Sequence, residues 1–185
     1  MLETDEAKRR FILENTSICA PPHVPEIRLH LAHEAHDLWQ KTEEEMEAID
    51  LPPPFWAFAW AGGQGLARYV IDDPDFVQGE TVLDFASGSG LVAIAAKMMD
   101  ANGVVAADID PFSRISVKLN AELNDVAIDF HGHDLLAEEG DAVQDFGCIL
   151  AGDVFYDQAM AKRVFPFLQK QASQGKNVLI GDPGR

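Results

Sequence analysis

The stretch Val82-Leu83-Asp84-Phe85-Ala86-Ser87-Gly88-Ser89-Gly90, followed by Leu91-Val92-Ala93-Ile94-Ala95-Ala96-Lys97, decides the fold. It reads as a buried strand, a turn of small residues and a helix. Ala86, Gly88 and Gly90 alternate through the turn, where small residues admit a ligand close to the backbone and tolerate positive φ. The helix behind it aims its free N–H groups and its positive end at the same spot. Together these make a nucleotide-type cradle.

Outward from the cradle, strands and helices alternate. The strand over 81–85 precedes a helix over 89–100, stopped by Asn102-Gly103. A strand over 104–107 ends in Asp108-Ile109-Asp110, and Pro111 opens a helix to about residue 124. A third strand, 126–130, ends at His131-Gly132-His133-Asp134. A fourth, 146–151, ends at Gly152-Asp153-Val154-Phe155-Tyr156-Asp157 and precedes a helix over 157–171. A fifth, 177–180, runs into Gly181-Asp182-Pro183-Gly184-Arg185. Apolar strands joined by helices imply an α/β fold with a doubly wound, Rossmann-like parallel sheet. Each strand carries its polar cluster at the carboxyl end, where such sheets bind ligands.

Upstream, 4–15 reads as a helix capped by Thr4, and Pro21, Pro22 and Pro25 keep the next segment extended. Residues 26–31 alternate polar and apolar, as a half-buried strand does. Thr42-Glu43-Glu44-Glu45 is a capping box opening a short acidic helix that Pro52-Pro53-Pro54 ends. The chain divides into an N-terminal extension on the substrate side, 1–53, and a cofactor-binding domain, 54–185. In Phe55-Trp56-Ala57-Phe58-Ala59-Trp60-Ala61-Gly62-Gly63-Gln64-Gly65, aromatics lead into glycines that read as a turn, with a helix over 66–71. Core packing accounts for part of the aromatic set, and Trp60 with the glycine turn is expected to wall a pocket.

The 185 residues hold 14 Lys+Arg against 31 Asp+Glu, a net charge of −17. That field repels phosphate backbones and argues against nucleic acid, while it suits a basic protein surface. Cys19 and Cys148 make neither a disulfide framework nor a metal site, and Cys148 reads as a buried thiol. No signal pattern or bilayer-length apolar run is present, so a cytoplasmic protein off the membrane is expected. His30, His33 and His36 recur at intervals that scatter them over both faces of a strand, and no metal is expected.

Gly88-Ser89-Gly90-Leu91-Val92-Ala93 fits the dinucleotide pattern G-x-G-x-x-A, but the strand before it ends in Asp84. A carboxylate there repels a pyrophosphate and attracts a cation. S-adenosylmethionine carries a sulfonium and an ammonium. Asp108 is placed to accept both ribose hydroxyls, and Asp134 to accept the adenine amine. Three acids at successive strand ends fit an adenosyl sulfonium better than a polyanion.

Asp84-x-Ala86-x-Gly88-x-Gly90 resembles motif I of the class I, seven-strand S-adenosylmethionine-dependent methyltransferases. With Pro54-Phe55-Trp56-Ala57-Phe58, Trp60-x-Gly62-Gly63-Gln64, Asp108-Ile109-Asp110-Pro111, Gly152-Asp153-Val154-Phe155-Tyr156-Asp157 and the closing Asp182-Pro183-Gly184-Arg185, the chain resembles the protein lysine methyltransferases acting on the electron-transfer flavoprotein β subunit. The resemblance implies that Trp60, Gly62, Gly63, Asp84, Ala86, Ser87, Gly88, Gly90, Asp108, Ile109 and Asp134 surround S-adenosylmethionine. It implies that Asp153 and Tyr156 face the methyl group and the target lysine of a protein substrate, with Phe155 and Trp56 lining the acceptor pocket. Ala86 stands where that family usually has glycine. The family's sheet has two more strands after the fifth, which would leave 177–180 as an exposed edge; truncation of the sequence is expected, with a partner covering that edge as the alternative. A small-molecule N-methyltransferase and a non-catalytic cofactor-binding module remain as alternatives.

Overall fold

A computed structural model describes residues 2, 4–32, 53–137, 143 and 145–184. The expected capping box at 42–45, His33 and His36 lie outside the described residues. Near the N-terminus, α1 (Asp5–Asn15) is capped by Thr4, whose hydroxyl accepts from the Ala7 N–H. The short strands β1 (Ser17–Cys19) and β2 (Leu29–Leu31) then pair antiparallel. β2 is shorter than the expected 26–31, and β1 carried no strand signal in the sequence.

A 3-10 turn at Phe55–Ala57 leads into α2 (Ala61–Asp72). The main unit continues with β3 (Thr81–Phe85), α3 (Leu91–Met98), β4 (Gly103–Ala107), α4 (Pro111–Leu123) and β5 (Asp129–His131). It closes with β6 (Cys148–Gly152), α5 (Gln158–Ser173) and β7 (Asn177–Gly181). The five strands β3 to β7 form one parallel sheet in the order β5-β4-β3-β6-β7. The chain winds outward from β3 to β5, then returns to β6 on the opposite side of β3. That reversal is the switch point at which such sheets open a ligand crevice.

The strands' alternating side chains sort the core into two layers. Val82, Val104, Ala106, Cys148 and Leu150 pack against Leu66, Ala67 and Val70 of α2, the apolar face of α3, and Val117 of α4. Leu83, Phe85, Ala107, Ile149 and Ala151 point the other way, onto Val164 and Leu168 of α5. The sheet is therefore covered on both faces, as a doubly wound fold requires. A third cluster of Ile12, Trp56, Phe112, Ile115 and Leu119 fastens α1 and the 3-10 turn to α4. The β2 backbone is held beside α4 as well: the His30 N–H donates to Asn120 Oδ1 at 2.8 Å, and the Arg28 N–H to Asn124 Oδ1 at 3.0 Å. Among the described residues, no helix is long and apolar enough to cross a membrane.

Candidate active site

The carboxyl ends of β3, β4, β5 and β6 frame a cavity of about 720 Å³. The residues around Asp84 build its floor. Asp84 is 1% exposed, and its Oδ2 accepts from the Ser87 hydroxyl at 2.6 Å and from the Ala93 N–H at 3.0 Å. Burial pushes its carboxyl up to about 7, against the pull of these two hydrogen bonds. This corrects one expectation. The positive end of α3 is not wholly free for a ligand: the Ala93 N–H already holds the protein's own carboxyl, while Leu91 and Val92 of the same turn line the cavity.

The turn itself is held in left-handed backbone, with Ala86 at φ 56°, Gly88 at 54° and Gly90 at 83°. Ala86, Ser87 and Gly88 line the cavity. Gly90 does not: it caps α3, and a Cβ there would come within 3.2 Å of Val117.

Asp108, half-buried on the cavity wall, is fixed from both sides. Its Oδ2 accepts from the Gly88 N–H at 2.8 Å and its Oδ1 from the Asp110 N–H at 2.9 Å. Burial raises its pKa, opposed by these hydrogen bonds and one from Ser113. Asp110, 9% exposed, caps α4 through the Phe112 N–H, and burial pushes it up to about 7. Ile109 is 70% exposed and lines the same wall, as do Leu135 and Leu136. Asp134 also lines the cavity. Its Oδ1 accepts from the Leu136 N–H at 3.0 Å, and its Oδ2 pairs with Arg163 of α5 at 2.7 Å, which holds its carboxyl below the usual range.

At the other end stands Asp153, at φ 55° just past β6. Its N–H donates to the Gly181 carbonyl at 2.7 Å, and its Oδ2 accepts from the Gly63 N–H at 2.6 Å. Trp60, the N-cap residue of α2, contributes no side-chain cap, and Asp153 supplies one from the carboxyl end of β6. Above it lie the rings of Phe55, Phe58, Trp60 and Tyr156: Phe55 is 5.4 Å from Tyr156 and 5.8 Å from Trp60, and Phe58 is 5.6 Å from Trp60. Tyr156 is 56% exposed, and partial burial followed by Asp157 and Asp108 raises its phenol pKa, so it stays protonated at neutral pH.

Besides Gly90, three expected site residues lie elsewhere. Trp56 is fully buried, stacked on Phe112 at 5.6 Å, and belongs to the core rather than to an acceptor pocket. Phe155 packs toward the α5 layer and is absent from the cavity lining. Gly62 is buried between α2 and β7, where a Cβ would meet the Gly181 carbonyl oxygen at 2.3 Å. Sequence reasoning missed Phe55, Phe58, Met160 and Arg163, all on the cavity wall. Met160 and Arg163 are spaced to share one helix face, a signal that was present but needed the wall's position to be read.

A family profile described as ribosomal protein L11 methyltransferase matches residues 70–157. Over 179 residues the chain is 41% identical to the electron transfer flavoprotein beta subunit lysine methyltransferase of Xenopus laevis, covering 96% of this chain and 70% of that one. The protein of the same name from Danio rerio is 41% identical over 180 residues, covering 96% and 67%. The chain belongs to the electron transfer flavoprotein β subunit lysine methyltransferase family. Among solved structures, a ribosomal protein L11 methylase from Lactobacillus delbrueckii subsp. bulgaricus aligns with a TM-score of 0.48 at 30% identity, over 61% of this chain and 55% of that one. SMU.776, solved in complex with SAH, aligns at a TM-score of 0.50 and 16% identity, over 61% of this chain and 32% of that one, a likeness of fold.

The site of this family member fits an adenosyl cofactor. Asp108 with both oxygens oriented, Asp134, exposed Ile109 and Gly88 at positive φ, all on the cavity lining, meet a nucleoside's needs.

Proposed function

We propose that this chain methylates a lysine side chain of a protein resembling the electron-transfer flavoprotein β subunit, with S-adenosylmethionine as methyl donor. One observation carries the reading: a single cavity has oriented carboxylates at its adenosine end, and Asp153 beneath an aromatic wall at the other. S-adenosylmethionine supplies an electrophilic methyl on its sulfonium. Asp108 binds the ribose hydroxyls, Asp134 accepts from the adenine amine, and Ile109 covers the base.

The acceptor lysine enters between Phe55, Phe58, Trp60 and Tyr156. These rings exclude water, which disfavours the ammonium form and lets the amine lose its proton to solvent. Asp153 accepts an N–H of that amine and turns its lone pair toward the methyl. A carboxylate also favours the ammonium, so Asp153 orients the nitrogen rather than deprotonating it. Its pinned backbone and its bond from Gly63 suit that task, since alignment alone lowers the barrier of such displacements. The net charge of −17 favours a basic surface around the target lysine.

The test is incubation with methyl-labelled S-adenosylmethionine and purified electron-transfer flavoprotein, followed by acid hydrolysis. Label recovered as methyl-lysine is expected. Label found only in small metabolites of a cell extract would overturn the protein-substrate reading.

A further inference from the structure

Arg163 joins two elements that line the cavity. It projects from α5, which follows β6, to Asp134, which follows β5. In the order β5-β4-β3-β6 these strands stand three positions apart, and α5 closes the gap by packing under Leu83 and Phe85 of β3 and Ala107 of β4. Arg163 and Asp134 meet at 2.7 Å, and both line the cavity beside Met160, Leu135 and Leu136. The pair is only partly shielded, at 55% and 35% exposure, so its direct contribution to stability is small. Its consequence is orientation. With the Leu136 N–H on Oδ1 and the guanidinium on Oδ2, the Asp134 carboxylate is fixed in plane and direction, and each oxygen keeps a lone pair for a further donor.

We propose that Arg163 is a positioning residue for base recognition: it clasps α5 to the turn after β5 and holds Asp134 as an acceptor for an amino group, so that the cavity selects adenine over a 6-oxo purine. This rests on the adenosyl-cofactor reading above. A base bearing a carbonyl in place of the amine would bring oxygen against a carboxylate that cannot swing away. The clasp also ties base recognition to α5, whose N-cap Asp157 directly follows Tyr156, so the adenine end and the acceptor end share one helix.

The test is calorimetric titration of the wild-type chain, Arg163→Met, Arg163→Lys and Asp134→Asn with S-adenosylhomocysteine and S-inosylhomocysteine. Wild type should prefer the adenosyl compound by tenfold or more. Arg163→Met should weaken adenosyl binding about tenfold and inosyl binding much less, collapsing the preference, and Arg163→Lys should restore part of it. Adding Asp134→Asn to Arg163→Met should cost little more. An unchanged preference in Arg163→Met, whether affinity holds or falls equally for both ligands, would overturn the proposal and leave the cofactor reading standing. A wild-type chain that binds neither compound would overturn both.

Discussion

Ala86 occupies left-handed backbone at φ 56°, a conformation that costs a residue with a Cβ about 1 kcal/mol or more. Its three non-glycine companions there, Asp100, Asp125 and Asp153, are of the type that tolerates it. Replacing Ala86 with Gly should therefore raise stability by about 1 kcal/mol in urea denaturation, the strain relieved outweighing the added freedom of the unfolded chain. A less stable variant would contradict this. Asp84 and Asp110 hold their protons to about pH 7 in the fold, whereas each would lose them near 3.8 at its ordinary value. Between those values the folded chain binds more protons than the unfolded one, so these groups make stability fall as pH rises from about 4 to 7 and level off above. Melting temperatures of the ligand-free protein across that range should fall less steeply in Asp84→Asn and Asp110→Asn than in wild type. Parallel curves would refute the assignment. In the sequence, the acids at strand ends were legible as a set, but their separate tasks were not. Asp84 lines the cavity as expected, but its bond from the Ala93 N–H was not legible, because the two become neighbours only when α3 folds back onto β3.

Among the elements, α2 shows where local signals mislead. Gly62, Gly63 and Gly65 read as a turn, yet they form the first turns of a helix. Their smallness serves close packing: a Cβ on Gly62 would meet the Gly181 carbonyl oxygen at 2.3 Å, and one on Gly152 would meet Gly63 Cα at 2.9 Å. Gly62→Ala should lift the start of α2 from β7, strain the Gly63–Asp153 bond and lower stability by about 1–3 kcal/mol. Amide hydrogen exchange at Gly63 should quicken at the same time. Full stability in that variant would show that the contact is slack. The strands were more legible, because continuous apolar runs bounded by polar clusters have few other readings: β3, β4, β6 and β7 lie within two residues of expectation. The third expected strand, 126–130, moved to Asp129–His131 because the Val126 N–H still bonds back to Ala121 at the end of α4, and pairing with β4 begins at Asp129.

For the whole molecule, the parallel sheet and its switch point put Asp108, Asp134 and Asp153 around one cavity, and that arrangement followed from strand order and motif I. The aromatic wall did not follow as cleanly. Phe55, Trp56, Phe58 and Trp60 look alike in sequence, and only the 3-10 turn at Phe55–Ala57 sends Trp56 into the core while the other three remain at the cavity. Arg163 escaped notice because its partner lies on another element, which no local pattern reveals. The central claim is that Asp153 orients the acceptor nitrogen. Asp153→Asn isolates it, since asparagine tolerates left-handed backbone and can still accept from the Gly63 N–H, so α2 stays in place while the charge is lost. Single-turnover methyl transfer to electron-transfer flavoprotein should fall by about 100-fold in this variant while S-adenosylhomocysteine affinity stays within about threefold of wild type. Methyl transfer at the wild-type rate would contradict the claim.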